Sequence, residues 1–263
     1  MVANEKFQIE KAREHLVVKD NRLIQDVRRR KYELSTLEQK VLGFIISLIK
    51  PPKNGSEPEY SIEFDIRMFS KVCGITINSG KNYENIKRAL QKLAQNTFWI
   101  QEGSDELLFQ WIVTPRIKKQ SGRVVIRFSP DVLPYLYNLQ EKFTQYELYQ
   151  ILALKSSYSI SLYELFKSYS FKKEFTVTID NLKHYLSIDG KYQEYKALRR
   201  KVIEPAITEI NQFTDIEIEW EPNRIGRRYE SITFKIHKKK SLEGFQAYQR
   251  TMAVINGKPV TVV

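Results

Sequence analysis

Lys191-Tyr-Gln-Glu-Tyr-Lys-Ala-Leu-Arg-Arg-Lys201, Asp215-Ile-Glu-Ile-Glu-Trp220 and Ser231-Ile-Thr-Phe-Lys-Ile236 decide how this chain folds. In the first stretch and just beyond it, Tyr195, Leu198, Val202 and Ala206 recur at helical spacing and predict one buried stripe. In the other two, Ile216/Ile218/Trp220 and Ile232/Phe234/Ile236 alternate with charges, the period of half-buried strands. Arg224, Gly226, Arg227 and Arg228 lie between those strands, and the glycine permits a tight reversal there. A helix with cations outside, followed by a hairpin with cations at its tip, is the layout of a winged helix.

The same layout occurs earlier. Tyr60-Ser-Ile-Glu-Phe64 alternates, a helical stretch with Phe69, Val72 and Cys73 inward follows, and Tyr83, Ile86, Leu90 and Leu93 then form a second buried stripe. In the later copy, Phe175-Thr-Val-Thr-Ile179 alternates, Leu182, Tyr185 and Leu186 point inward, and a glycine turn leads into the Tyr195 stripe. Self-similarity over about a hundred residues means a duplicated domain and not a solenoid. Each copy follows a strongly periodic helix. Ser35-Thr-Leu-Glu38 is a capping box opening the first, with Val41, Phe44, Ile45 and Leu48 inward and Pro51-Pro52 beyond its end. The second runs from about Ser157 to Tyr169 on Ile160, Tyr163, Leu165 and Phe166.

The expected fold is therefore α+β, two tandem winged-helix domains over residues 21–140 and 141–240. Strands are expected at Phe98–Ile100, Leu107–Val113 and Val124–Phe128, and a connecting helix from Ser129-Pro-Asp-Val-Leu-Pro134 to about Gln140. Residues 1–20 and 241–263 read as weakly patterned tails, with Asn256-Gly257 a candidate hairpin turn.

The bulk numbers agree with a folded chain. Its 263 residues suffice for two domains with their own cores, and 42% hydrophobic residues argue against disorder. A net charge of +12 suits a polyanionic partner, either nucleic acid or an acidic membrane surface. The longest apolar stretch, Val41–Ile49, is too short to span a bilayer, and no signal-peptide core precedes it. A single cysteine, Cys73, excludes internal disulfides and reads as core packing, so a cytoplasmic location is expected.

In the second module, the face opposite the buried stripe carries Gln193, Lys196, Ala197 and Arg200, with Lys191, Arg199 and Lys201 at its margins. Gln and Arg are the side chains that read adenine and guanine edges bidentately. A helix-turn-helix presents its second helix to the major groove, N-terminal end first. Pro205 predicts a kink that leaves Lys191–Val202 as the inserted part. Arg224, Arg227 and Arg228, with Gly226, form a wing for phosphates or the minor groove. The competing account of all these charges is a solvated face. In the first module Lys81, Asn82, Asn85, Arg88 and Lys92 form the less basic counterpart, with Arg116, Lys118, Lys119 and Arg123 around its last hairpin. Arg28-Arg-Arg-Lys31 reads equally as a phosphate clamp or a solvated linker.

Enzymatic signatures are missing from the sequence. There is no phosphate-binding G-x-x-x-x-G-K-[ST] run, His15, His184 and His237 are scattered, and no adjacent His pair precedes a nucleophilic tyrosine. A non-enzymatic protein without a metal or other cofactor is expected.

Several stretches together resemble the Rep_3 family, the initiators of theta-replicating, iteron-bearing plasmids. They are Asn21-Arg-Leu-Ile24, Leu34-Ser-Thr-Leu-Glu-Gln-Lys40, Phe143-Thr144, Tyr158-Ser-Ile-Ser-Leu-Tyr-Glu-Leu165, Tyr195-Lys-Ala-Leu-Arg-Arg-Lys-Val-Ile-Glu-Pro-Ala206, Glu209-Ile-Asn211 and Gly226-Arg-Arg228. The resemblance implies binding of double-stranded direct repeats at a plasmid origin with both winged helices on one DNA face. It also implies help in opening an AT-rich segment and recruitment of the host initiator and replicative helicase. A monomer that initiates and a dimer that represses its own promoter or pairs origins are further implications. Ser161 departs from the family pattern, where a basic residue is more usual, and puts one local contact in doubt. A tandem winged-helix transcriptional repressor is the alternative function. A DNA-nicking enzyme is the third class, marked by a protein-linked 5′ end on supercoiled DNA.

Overall fold

The first twenty residues are not a tail. In the computed structural model, which describes residues 2–25, 33–50, 61–75, 80–137, 139 and 142–260, they form α1 (Val2–Arg13) and β1 (Leu16–Asp20). β1 hides Val17 completely and lies antiparallel to residues 143–147. It therefore ties the start of the chain to the segment just past position 140. Single-strand periodicity over five residues is too short to announce such a pairing.

The first winged helix follows α2 (Arg22–Gln25) and α3 (Thr36–Ser47). Ser35 and Glu38 close the capping box, and Val41, Phe44 and Ile45 are buried. Pro51-Pro52 and the Arg28–Lys31 run lie outside the described residues. Then come β2 (Ser61–Asp65), α4 (Ile66–Val72), α5 (Gly80–Gln95), β3 (Thr97–Glu102), β4 (Asp105–Gln110), β5 (Ile112–Lys118) and β6 (Arg123–Phe128). The expected strand at 107–113 is two strands: buried Trp111 separates β4, paired with β3, from β5, paired with β6. Cys73 is buried at the end of α4, and burial pushes its thiol up to about 12, so it is a core residue. Among the described residues, the expected connecting helix is a 3₁₀ turn, Leu133–Tyr135, with Leu133, Tyr135 and Leu136 drawn into the core.

The second module comprises β7 (Phe143–Glu147), α6 (Tyr149–Leu152), α7 (Ser157–Tyr169), β8 (Glu174–Thr178), α8 (Ile179–Tyr185), α9 (Tyr195–Leu198), α10 (Glu204–Phe213), β9 (Ile216–Ile225) and β10 (Arg228–Lys238). Its sheet has the order β8-β10-β9, and the first module's has the order β2-β6-β5. In both, the strand before the helices pairs with the last strand and the middle strand takes the other edge. That identity of topology is the duplication. The β3–β4 hairpin is an addition to the first copy.

The second expected tail is a helix, α11 (Ser241–Ile255). Thr251 donates to the Phe213 carbonyl at the end of α10, and Tyr248 packs edge-on against Tyr149. The far end reaches the first module. Buried Arg13 donates to the Lys71 and Val72 carbonyls at 2.9 Å and to Asn256 Oδ1 at 3.0 Å. Its guanidinium thus serves the open carbonyls of α4, where positive charge is favoured. Asn256-Gly257 is no hairpin: Asn256 caps α11, and Gly257, at φ +66°, is the usual glycine just past a helix end.

Gly74 lies hard against the end of α11. It has φ +66°, and a Cβ there would stand 2.2 Å from the Ile255 carbonyl oxygen. Gly74→Ala is expected to lower stability by about 1–3 kcal/mol from backbone strain alone, and to loosen α11. Thermal melting and limited proteolysis after residue 240 measure the two effects. An unchanged melting temperature with an uncut α11 would mean that this close approach is immaterial.

Candidate nucleic-acid interface

The turn between α8 and α9 sets how the second helix is presented. Ser187 and Tyr192 both adopt positive φ, 56° and 49°, and Gly190 takes 78°. Two non-glycine residues in that region store strain, which the packing around Ile188 (fully buried) holds in place. The helix begins at Tyr195, four residues later than the sequence predicts, so Lys191 and Gln193 lie in the approach to it and not on its face. Just before Pro205, where a kink is expected, the helix carries a π turn. Residues Arg199–Ile203 form it, and the Glu204 N–H reaches the Arg199 carbonyl. Proline has no N–H to offer and its ring crowds the carbonyl four residues back. Widening the turn just before Pro205 relieves that crowding, and the helix continues to Phe213.

Leu198, Val202 and Ala206 are buried as predicted, and Tyr195 is half-buried. Lys196, Arg200 and Lys201 are exposed, Ala197 is half-buried between them, and none of the three cations has an ion-pair partner among the described residues. Arg199 is exposed but engaged: it donates to Glu204 at 2.7 Å and lies 5.8 Å from the Trp220 ring centre. Glu204 raises its pKa, chiefly through that hydrogen bond. Lys191 pairs with Glu33 at 3.1 Å, from the segment leading into α3.

The wing is bound to the helix by an aromatic stack. The rings of Tyr195 and Tyr229 lie 4.0 Å apart and nearly parallel, and Arg224 sits 4.1 Å from the Tyr229 ring centre. At the tip, Ile225 pairs with Arg228 across Gly226-Arg227, and only Gly226 of those two has positive φ, +62°. This is the glycine-first turn whose twist matches the strands. A Cβ at Gly226 would meet nothing within 4 Å, so only its backbone conformation demands glycine. Arg224, Arg227 and Arg228 are exposed. The Tyr195–Tyr229 stack thus joins the helix that carries exposed Lys196, Arg200 and Lys201 to the wing that carries the arginines. Sequence reasoning missed Tyr229 because the register shifts between Tyr229 and Ser231. That bulge puts it out of phase with Ile232, Phe234 and Ile236.

The first module differs in how its cations are spent. Lys92 pairs with Glu38 at 3.4 Å, and Lys118 and Arg123 share Glu63 at 3.0 and 3.2 Å. Arg88, Arg116 and Lys119 are exposed and Asn85 is half-buried; the side chains of Lys81 and Asn82, on α5, lie outside the described residues. Among the described residues, pairing with carboxylates leaves this face with less free positive charge than the second. Ser161 lies on α7, where its hydroxyl accepts from Gln39 at 3.1 Å and its carbonyl from Tyr185 at 2.7 Å, so the helix is intact there. Among the described residues no His/Cys/Asp/Glu group is disposed to hold a metal ion, and no helix is long and apolar enough to cross a membrane.

Two winged helices in one chain, the second with Lys196, Arg200 and Lys201 exposed and without ion-pair partners among the described residues, define a tandem winged-helix protein. The family models narrow this. The first initiator replication protein domain, WH1 (Rep3_N), matches residues 16–167, and the second, WH2 (Rep3_C), matches residues 178–236. The chain belongs to this family of replication initiators. It is 23% identical over 240 residues to a replication initiation protein of Escherichia coli, covering 88% of this chain and 73% of that one. It is also 31% identical over 147 residues to the PI protein of Escherichia coli, covering 49% of this chain and 47% of that one. The crystal structure of the Pi initiator protein in complex with iteron DNA superposes with a TM-score of 0.69 at 22% identity, covering 87% of this chain and 99% of that one. It shares the fold.

Proposed function

We propose that this protein initiates plasmid replication, without enzymatic activity, by binding direct repeats in double-stranded origin DNA through both winged helices. The observation that carries this is the coupling of exposed Lys196 and Arg200 to the wing arginines through the Tyr195–Tyr229 stack. A helix aimed at a groove and a wing aimed at the backbone need a fixed mutual position, since phosphate contacts set register and base contacts set sequence. The solved relative bound to iteron DNA supports the same use of the fold. Once seated on adjacent repeats, the protein bends the DNA, favours opening of an AT-rich neighbour and recruits the host initiator and replicative helicase. As a dimer it represses its own promoter. All this takes place in the cytoplasm.

The test is footprinting on DNA flanking the protein's own gene, joined to replication of a plasmid carrying only that gene and its upstream repeats. Protection with replication is expected. Protection without replication would leave a transcriptional repressor, and a protein-linked 5′ end on supercoiled DNA with magnesium would make it a nickase. If eight or so cations neutralise phosphates, log affinity falls against log salt with a slope of about −7. Arg227→Ala is expected to weaken all sequences alike and to flatten that slope by about 0.9. Titrations at several salt concentrations read this directly. An unchanged slope would take Arg227 off the backbone.

A further inference from the structure

We propose that Ile225 is an apolar wedge that enters the minor groove and partly unstacks one base step, so the wing reads DNA deformability as well as gripping the backbone. The inference rests on the DNA-binding role proposed above. Ile225 is 72% exposed, the most exposed large hydrophobic residue among those described, and it lies at the tip between Arg224 and the Arg227-Arg228 pair. Isolated exposed apolar residues are common and need no explanation by themselves. Here the mounting is unusual. β8 pairs only with Ser231–Lys235, so beyond Asn223 and Ser231 the wing is a bare two-stranded ribbon projecting from the sheet.

Such a ribbon would sway freely, yet this one is braced. At its root Asn223 donates to Ser231 and Thr233, and Thr233 meets Thr176 across all three strands. Further out, Tyr229 is clamped between the Tyr195 ring and the Arg224 guanidinium. The bulge between Tyr229 and Ser231 adds twist, which aims the tip. A phosphate clamp needs only the arginines and tolerates motion. A stiff arm that ends in a β-branched hydrocarbon flanked by guanidiniums has the composition of a minor-groove insertion. There cations answer the groove's negative potential and an apolar side chain separates neighbouring bases. Because Ile225 is so exposed, replacing it leaves the core untouched.

The experiment selects 40-base-pair duplexes from a randomised pool with the full-length protein and with Ile225→Ser, then measures end-to-end energy transfer in the selected duplexes. The parent is expected to enrich flexible pyrimidine–purine steps under the wing, to bend the duplex, and to bind about tenfold tighter when that step carries a mismatch, since unstacking a mismatched pair costs less. Ile225→Ser should keep the bases read by the α9 helix and lose the step preference, the mismatch gain and most of the bend, while Ile225→Phe retains them. The same step, mismatch gain and bend with serine would overturn the wedge and leave DNA binding standing. No enrichment by the parent protein would overturn the DNA-binding role itself, and the wedge with it.

Discussion

Replacing Lys196 and Arg200 together by alanine is expected to weaken specific binding by about 1–3 kcal/mol for each base edge that is no longer read, or roughly a thousandfold if both side chains read bases. Both are exposed and neither has an ion-pair partner among the described residues, so the folded state gives up almost nothing. The melting temperature should therefore hold while affinity for the repeat collapses towards the nonspecific level. Equal affinity of variant and parent for the protected repeat would remove this helix from the interface. The π turn sharpens the expectation: Lys196 lies before it and Arg200 within it. Pro205→Ala, which allows an ordinary helix through this region, should then alter sequence preference more than stability.

The second large effect concerns the fold beneath the interface. Glu164 on α7 pairs with Lys19 Nζ at 2.5 Å and accepts from the Tyr146 hydroxyl, and the Lys19 and Glu164 side chains are 6% and 14% exposed. Glu164→Ala leaves a buried ammonium and a buried hydroxyl unpaired, which costs about 3–5 kcal/mol. A fall in melting temperature of about 10 °C follows for a chain of this size. The double variant Lys19→Met/Glu164→Leu should regain most of it, because removing both charges avoids the desolvation that removing one exposes. A melting temperature unmoved by Glu164→Ala would show that water already serves this network. A similar cluster adjoins it on α7, where Tyr163 and Lys167 donate to Asp215 at 2.9 and 2.7 Å. α7 is thus joined by polar contacts to the N-terminal strand and to the loop that opens β9.

The duplication was legible because amphipathic periodicity is a local property. Leu198, Val202 and Ala206 repeat the pattern of Ile86, Leu90 and Leu93, and all six are buried. Ser35 and Glu38 announced a capping box that formed in full. The candidate site was legible in its residue types and in its outer face. Its edges were not. Lys191 and Gln193 precede the helix because the chain spends them on a strained turn. Lys92 has the right spacing for an outward cation, but the distant carboxylate of Glu38 claims it. Tyr229 was hidden by a one-residue bulge.

Period, charge and turn chemistry in the linear chain thus determined two winged helices and which of their faces carry cations, since each follows from neighbours within a few residues. Only the tertiary structure decided which cations remain free, how firmly the wing is held to its helix, and that α1, β1 and α11 pack into the fold. Those outcomes depend on partners far apart in sequence: Glu38 for Lys92, Tyr229 for Tyr195, and residues 71, 72 and 256 for Arg13. No local pattern encodes a pairing whose two halves meet only after the chain has folded.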